Sequence, residues 1–368
     1  MQEYGGNVKS QHERSLSSLS VTNEKQLGLV DKFGRRATDL RVSLTDRCNL
    51  RCLYCMPEEG LPVLPLSKIL TDEEVVRLVR IGVNYLGITK VRFTGGEPLL
   101  RKGLETIVSE CAQLRTTDGE KLDLALTTNG LGLSHRARAL HDAGLKRVNI
   151  SLDSSSREEY LELTRRDRFA HVMEGISAAT AAGLSPAKIN AVVIPGVNDD
   201  SSEKLLCLAL NIGAELRFIE HMPIGPKGQW NKAEIITSPS LIERLQRSFK
   251  LEEFPKSMRG SSPASLWGVA AGTLGTQEYP AGTVGFISSV SQPFCAECDR
   301  TRLTAEGRIR SCLFNDDEYD LRALLRSGAS DGEIASQWQE AMWNKPARHG
   351  INDDGFTQPD RTMSAIGG

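Results

Sequence analysis

Residues 39–55 read DLRVSLTDRCNLRCLYC. Leu40, Val42 and Leu44 alternate with Arg41, Ser43 and Thr45, the two-residue period of a strand with one apolar and one polar face. Directly after it come Cys48, Cys52 and Cys55, spaced C-x3-C-x2-C. Three thiolates in one short loop can wrap a compact metal cluster and leave one of its metals open to a small molecule. Structural zinc is the bland alternative, but it calls for a fourth Cys or His, and none lies nearby.

Working outward, strand patterns are expected at 88–94, 122–128, 146–152, 188–194 and 215–220, with amphipathic helices between them. The clearest helix starts at Thr71, with Glu74 three residues on as a capping box, and runs to about Leu86. Others are expected near 104–114, 134–143, 169–182 and 202–210, two of them stopped by Gly144 and Gly183. Six βα units in a row predict an α/β fold with a parallel sheet. In the second strand Val91 and Phe93 alternate with Lys90, Arg92 and Thr94. A polar inner face favours a curved, partial (β/α)6 TIM-like barrel over a flat sheet buried on both sides. Its sites gather at the C-terminal ends of the strands.

Residues 38–224 form the expected barrel. Residues 225–368, richer in Gly, Pro and Ser with short helices near 319–325 and 332–343, read as a smaller region packed across its open side. Residues 1–37 are polar and read as a disordered extension. The 368 residues are 39% hydrophobic and 25% charged, with a net charge of -2, so no global field argues for nucleic acid. No run of about 18 apolar residues suggests a membrane span, and the polar start lacks a signal's apolar core; the expected compartment is the cytoplasm. Of eight cysteines, Cys111 and Cys207 stand alone in apolar stretches and read as buried small hydrophobes.

Three further features carry chemistry. Gly95-Gly96-Glu97-Pro98 ends the second strand, where glycine lets backbone approach a ligand and Glu97 can accept from an ammonium group. Ser151 ends the fourth strand and suits a ribose or carboxylate. Cys295, Cys298 and Cys312 form a second three-cysteine set, C-x2-C-x13-C, with no histidine close by. A second cluster with an open metal is the functional reading; a zinc ribbon would want a fourth ligand.

The loop from Cys48 to Cys55 resembles the signature of the radical S-adenosylmethionine (SAM) superfamily. There, SAM chelates the open iron of a [4Fe–4S] cluster and is cleaved by one electron. Over about residues 38–368 the chain further resembles the GTP 3′,8-cyclase family of molybdenum cofactor biosynthesis. The resemblance rests on Thr45-Asp46-Arg47-Cys48-Asn49, residues 94–101, Thr127-Thr128-Asn129-Gly130 and Arg217-Phe218-Ile219-Glu220. The second cysteine set with Arg300-Thr301-Arg302 and the terminal Gly367-Gly368 complete it.

It implies two [4Fe–4S] clusters, and SAM held by Tyr54, Gly96, Ser151 and Met222. GTP would meet Arg41, Lys90, Arg92, Thr127, Lys188, Arg217, Arg300, Thr301 and Arg302, with its base on the second cluster. The radical formed from SAM would take the ribose 3′ hydrogen, and C3′ would join C8 of guanine. Arg300 and Arg302 would position GTP and assist the final reduction, and the mobile Gly367-Gly368 tail would reach the site. The resemblance further implies a flavodoxin or ferredoxin as electron donor, a pyranopterin monophosphate synthase as the next enzyme, and a monomer or homodimer. Arg165 stands where such relatives more often have Gly, which puts a surface loop in doubt.

The residues support an anionic substrate independently. No G-x4-G-K-[ST] loop is present, so a triphosphate must be held by side chains, for which Arg offers forked donors. Pairing of the basic residues with carboxylates on neighbouring strands is the competing expectation. Two other functions stay open: a radical SAM enzyme acting on a peptide, and a non-enzymatic iron–sulfur or zinc protein.

Overall fold

The computed structural model describes residues 28–367; residues 1–27 of the expected extension, and Gly368, lie outside the described residues. The strands are β1 (Leu29–Val30), β2 (Arg36–Ala37), β3 (Asp39–Ser43), β4 (Lys90–Thr94), β5 (Asp123–Thr128), β6 (Arg147–Ser151), β7 (Lys188–Val193) and β8 (Glu215–Glu220). There follow β9 (Leu251–Glu253), β10 (Ser265–Val269), β11 (Gly272–Leu274), β12 (Gln277–Tyr279), β13 (Gly282–Ile287), β14 (Arg300–Leu303), β15 (Arg308–Arg310) and β16 (Tyr319–Asp320). The helices are α1 (Asp72–Leu86), α2 (Leu104–Ala112), α3 (Leu133–Asp142), α4 (Arg157–Thr164), α5 (Phe169–Ala181), α6 (Ser202–Asn211), α7 (Ser238–Leu245), α8 (Leu321–Arg326), α9 (Asp331–Trp343) and α10 (Met363–Ile366).

Strands β3 to β8 pair in chain order, each parallel to the next. Helices join them, as parallel pairing requires. Leu40, Val42, Val91, Phe93, Leu124, Leu126, Val148 and Ile150 are buried to 2% exposure or less; they form the face that meets the helices. Thr71 and Glu74 close the capping box of α1, and Gly87 ends it in the left-handed region.

The C-terminal region does more than cover the barrel. β13 pairs parallel with β8, and β14 pairs parallel with β3, so the region extends the sheet at both edges to twelve strands. Its short Gly-rich strands carry too weak a period to show this in sequence. Residues 288–299 run from β13 to β14, between the two ends of the parallel array.

Residues 28–37 correct the expectation of a loose extension. β1 and β2 form a hairpin with Leu29 fully buried. The Asp31 carboxylate accepts from the Phe33 and Arg35 amides at 2.9 and 3.0 Å, and Gln339 of α9 donates to the Gly28 carbonyl. One leucine beside a tight turn leaves almost no periodic signal. The turn at Arg165 is also more than a surface loop. Arg165 caps α4 at φ +55°, and its guanidinium donates to the Arg51 carbonyl at 3.1 Å. The Thr164 and Leu163 carbonyls accept from the Arg51 and Leu53 amides. The end of α4 therefore backs the first cysteine loop.

Candidate active site

The first cysteine loop is pinned where β3 and β4 end. The Gly96 amide donates to the Thr45 carbonyl and the Glu97 amide to the Arg47 carbonyl, each at 2.7 Å. A Cβ on Gly96 would lie 2.3 Å from the Arg47 oxygen, so only glycine admits this approach. The Arg51 guanidinium is turned onto the Cys48 and Leu50 carbonyls. Cys48, Cys52 and Cys55 line a cavity of about 190 Å³ together with Gly96, Tyr54, Ser151, Asp153 and Met222.

Burial raises all three thiols, Cys55 to about 12. A metal centre would have to displace their protons. Among the described residues, no three His, Cys, Asp or Glu side chains converge as they would on a single ion. Three thiols spread around an open volume fit a cubane cluster with one uncovered iron. Tyr54 donates to Asp153 at 2.8 Å, and the other Asp153 oxygen accepts from the Val192 amide. Burial pushes the Asp153 carboxyl up to about 6.

Glu97 does not take the place expected of it. It is fully buried, and its oxygens accept from the Leu99 amide, the Thr128 hydroxyl and the Asn129 amide at 2.7–2.9 Å. It ties the end of β4 to the end of β5 instead of facing an ammonium group. Burial pushes its carboxyl up to about 7, against those three donors.

A second cavity of about 460 Å³ opens next to the first, and the two share Thr127, Asn190, Ile219, Met222 and Met363 as walls. Nine Lys and Arg side chains line it: Arg41, Lys90, Arg92, Arg147, Lys188, Arg217, Arg259, Arg300 and Arg302. Strand register sets them in rows. Arg302 pairs beside Arg41, and Arg41 beside Arg92; one step along, Arg300 stands beside Asp39, and Asp39 beside Lys90.

Carboxylates answer part of this charge. Arg147 is bidentate on Asp123 at 2.7 and 2.6 Å, and Lys188 and Arg217 share Glu215 at 3.0 and 2.6 Å. Arg41 and Asp39 stand 3.6 Å apart. The Nε atoms of Arg41, Arg92 and Arg300 are buried without a hydrogen-bond partner. Burial, together with the neighbouring guanidinium groups, lowers Arg41 and Arg302 to about 9. The cavity is thus built for an anion with several acceptor oxygens.

The second cysteine set stands across this cavity from the first. Cys295, Cys298 and Cys312 line a hollow of about 80 Å³ that shares Met222, Phe294, Arg300 and Arg302 with the large cavity. Arg300 lies over the Phe294 ring at 4.9 Å. Burial pushes the Cys298 thiol up, but Lys345 and Arg300 bring it below its ordinary value. These three thiols also fit a cluster with one uncovered iron.

Thr301 is a correction. On β14, Arg300 and Arg302 face the cavity, and the two-residue period turns Thr301 to the other side. It is fully buried, and its hydroxyl accepts from the Trp338 indole of α9 at 3.0 Å. Gly367 does reach the site: its carbonyl accepts from Arg302 at 2.6 Å. Its φ is +73°, and a Cβ there would lie 2.5 Å from Thr94 Oγ1.

The sequence reading missed Arg147 and Asp123, the 259–262 loop, and Met363 and Ser364. Arg147 shares the strand face of Ser151 two pleats away, so its alternation could have revealed it. Nothing local marks Met363 or Ser364, which arrive from the far end of the chain; Ser364 hydrogen-bonds the Cys55 thiol.

Two substitutions test these placements. Thr301→Val, which strips the Trp338 indole of its acceptor, is expected to cost roughly 1–3 kcal/mol in chemical denaturation with nucleotide affinity unchanged. Glu97→Gln turns an amide NH2 toward the donor at one of its oxygens and is expected to cost a similar amount, roughly 1–3 kcal/mol, by the same measurement.

Comparison with known proteins places the chain in a family. Residues 42–209 match the Radical SAM superfamily, and residues 214–351 match Molybdenum Cofactor Synthesis C. A GTP 3′,8-cyclase of Corynebacterium glutamicum is 56% identical over 342 residues, 92% of this chain and 89% of the relative. A GTP 3′,8-cyclase of Mycolicibacterium smegmatis is 53% identical over 340 residues, 92% of each chain. Among solved structures, Streptococcus suis SuiB bound to S-adenosylmethionine has a TM-score of 0.55 at 13% identity, covering 89% of this chain and 75% of that one. That likeness is one of fold. With both matches end to end and more than half of the residues shared with curated relatives over nearly the whole length, the chain belongs to the GTP 3′,8-cyclase family of radical SAM enzymes.

Proposed function

We propose that the chain cyclises GTP to (8S)-3′,8-cyclo-7,8-dihydroguanosine 5′-triphosphate, the first step of molybdenum cofactor biosynthesis. One observation carries the reading: two open three-thiol sets face each other across a single cavity lined by nine cationic side chains. Cys48, Cys52 and Cys55 would hold one [4Fe–4S] cluster, and Cys295, Cys298 and Cys312 the other. When bound, the first cluster and SAM supply the one-electron chemistry that removes the ribose 3′ hydrogen.

The chain's own residues bind, orient and exclude water. Tyr54, Gly96, Ser151 and Met222 form the SAM wall, with Tyr54 fixed by Asp153. Arg41, Lys90, Arg92, Lys188 and Arg217 take the triphosphate, exchanging partly satisfied carboxylate contacts for phosphate oxygens. Thr127 stands where the two cavities meet. Ile219, Met222 and Met363 form the apolar part of the shared wall, which keeps water from the hydrogen-transfer path. Arg300 and Arg302 hold the base side beside the second thiol set, and the Gly367 carbonyl orients Arg302.

The chain works in the cytoplasm as a monomer or homodimer, takes electrons from a flavodoxin or ferredoxin, and passes its product to a pyranopterin monophosphate synthase. No helix among the described residues is long and apolar enough to cross a membrane. A peptide substrate fits less well, because it gives nine cations no comparable counter-charge.

Anaerobic turnover of reconstituted protein with SAM, dithionite and GTP deuterated at C3′ decides the matter. Deuterium in 5′-deoxyadenosine together with a cyclised nucleotide is the expected result. SAM cleavage without deuterium transfer would leave the superfamily standing and remove the GTP assignment. Arg92→Met is expected to weaken GTP binding about tenfold or more in calorimetry, from loss of a charge-assisted contact of roughly 1.5–3 kcal/mol.

A further inference from the structure

Lys345 lies just past the end of α9 and is 4% exposed. Its ammonium has three acceptors among the described residues: the Arg300 carbonyl at 2.9 Å, the Cys298 carbonyl at 3.2 Å and the Cys298 sulfur at 3.3 Å. The three donors of an ammonium are thereby used, and none of these acceptors is a carboxylate. A buried cation among neutral carbonyls is costly; a cluster-ligating sulfur at Cys298, 3.3 Å away, would supply the counter-charge.

The flanking segment is clamped from the other side. The Arg35 guanidinium, on the N-terminal hairpin, donates to the carbonyls of Cys295, Pro346 and Ala347 at 2.6–2.8 Å. Residues 345–347 thus join the hairpin, the end of α9 and the loop that carries two of the three cysteines.

We propose that Lys345 is a positioning residue for the second cluster: it donates to the Cys298 sulfur, fixes that thiolate for ligation and raises the cluster's reduction potential. Hydrogen bonds to ligand sulfur and nearby positive charge both favour the more negative, reduced cluster, and such outer contacts also govern how firmly a metal is held. The proposal rests on the reading that Cys295, Cys298 and Cys312 bind a cluster.

Reconstituted holoenzyme carrying Lys345→Met or Lys345→Arg tests it by two readouts apart from turnover. These are the midpoint potential of the second cluster by EPR-monitored titration, and the rate at which its iron is lost to a chelator. The first cluster, followed by the change that SAM makes in its spectrum, reports whether the fold is intact. Lys345→Met is expected to leave the first cluster intact, move the second midpoint to more negative potential and speed iron loss roughly tenfold. Lys345→Arg, which keeps the charge, is expected to recover part of both.

An unchanged midpoint in a fully loaded Lys345→Met protein would overturn the proposal. So would loss of both clusters together, which would make Lys345 a support of the whole fold. Wild-type protein that binds only the first cluster would sink the assignment of the second cysteine set, and Lys345's role with it. That result is read on the wild type alone.

Discussion

Parallel pairing of β14, β3 and β4 places Arg302, Arg41 and Arg92 at one register position on three neighbouring strands. Adjacent strands stand about 4.8 Å apart, so three guanidinium groups crowd into the barrel interior. Burial, together with repulsion from neighbouring guanidinium groups, depresses all three. Nothing local relieves the row fully: Asp39 is shared among Arg41, Arg92, Arg300 and Lys90. The fold tolerates it because the opposite face of the same strands is closed by the leucine, valine and phenylalanine layer against the helices. The apolar face stabilises the sheet, and the polar face is left strained toward an anion. Most features of the site follow from this division of one strand into two faces.

The C-terminal region completes the row. Arg300 and Arg302 come from β14, a strand more than two hundred residues from β3 in sequence yet paired directly with it. The same segment carries the second cysteine set on either side of these arginines. Cation and thiol are therefore positioned by one piece of backbone, and a shift of β14 would move both. The tail ends at the same place, with Met363 in the wall between the cavities and Gly367 on Arg302.

Strand alternation made much of this legible. Expected strands match the observed ones to within two residues at each end, because the period survives where one face is polar. The cysteine sets and the cations of the first two strands followed from spacing and pleat. The failures have physical causes too. Thr301 was read as part of an Arg-Thr-Arg unit, yet a strand divides such a unit between its two faces. Glu97 was read as facing a ligand, yet a carboxylate between two strand ends meets backbone donors first. The hairpin at 28–37 and the sheet extension by β13 and β14 depend on long-range pairing that no local pattern records.

The two thiol sets are electrostatically unlike, and the difference arises from their surroundings. Around Cys48, Cys52 and Cys55 the nearest cation, Arg51, spends its donors on backbone carbonyls, while Asp153 and Glu97 lie close enough to raise the thiols further. Around Cys298 stand two cations, Lys345 and Arg300, the latter with its guanidinium over the Phe294 ring. A cluster held by the first set meets a weakly compensated, apolar hollow that disfavours added negative charge; one held by the second meets cations that favour it. Identical ligand types thus meet two different electrostatic settings, and only the first stands beside Tyr54 and Ser151.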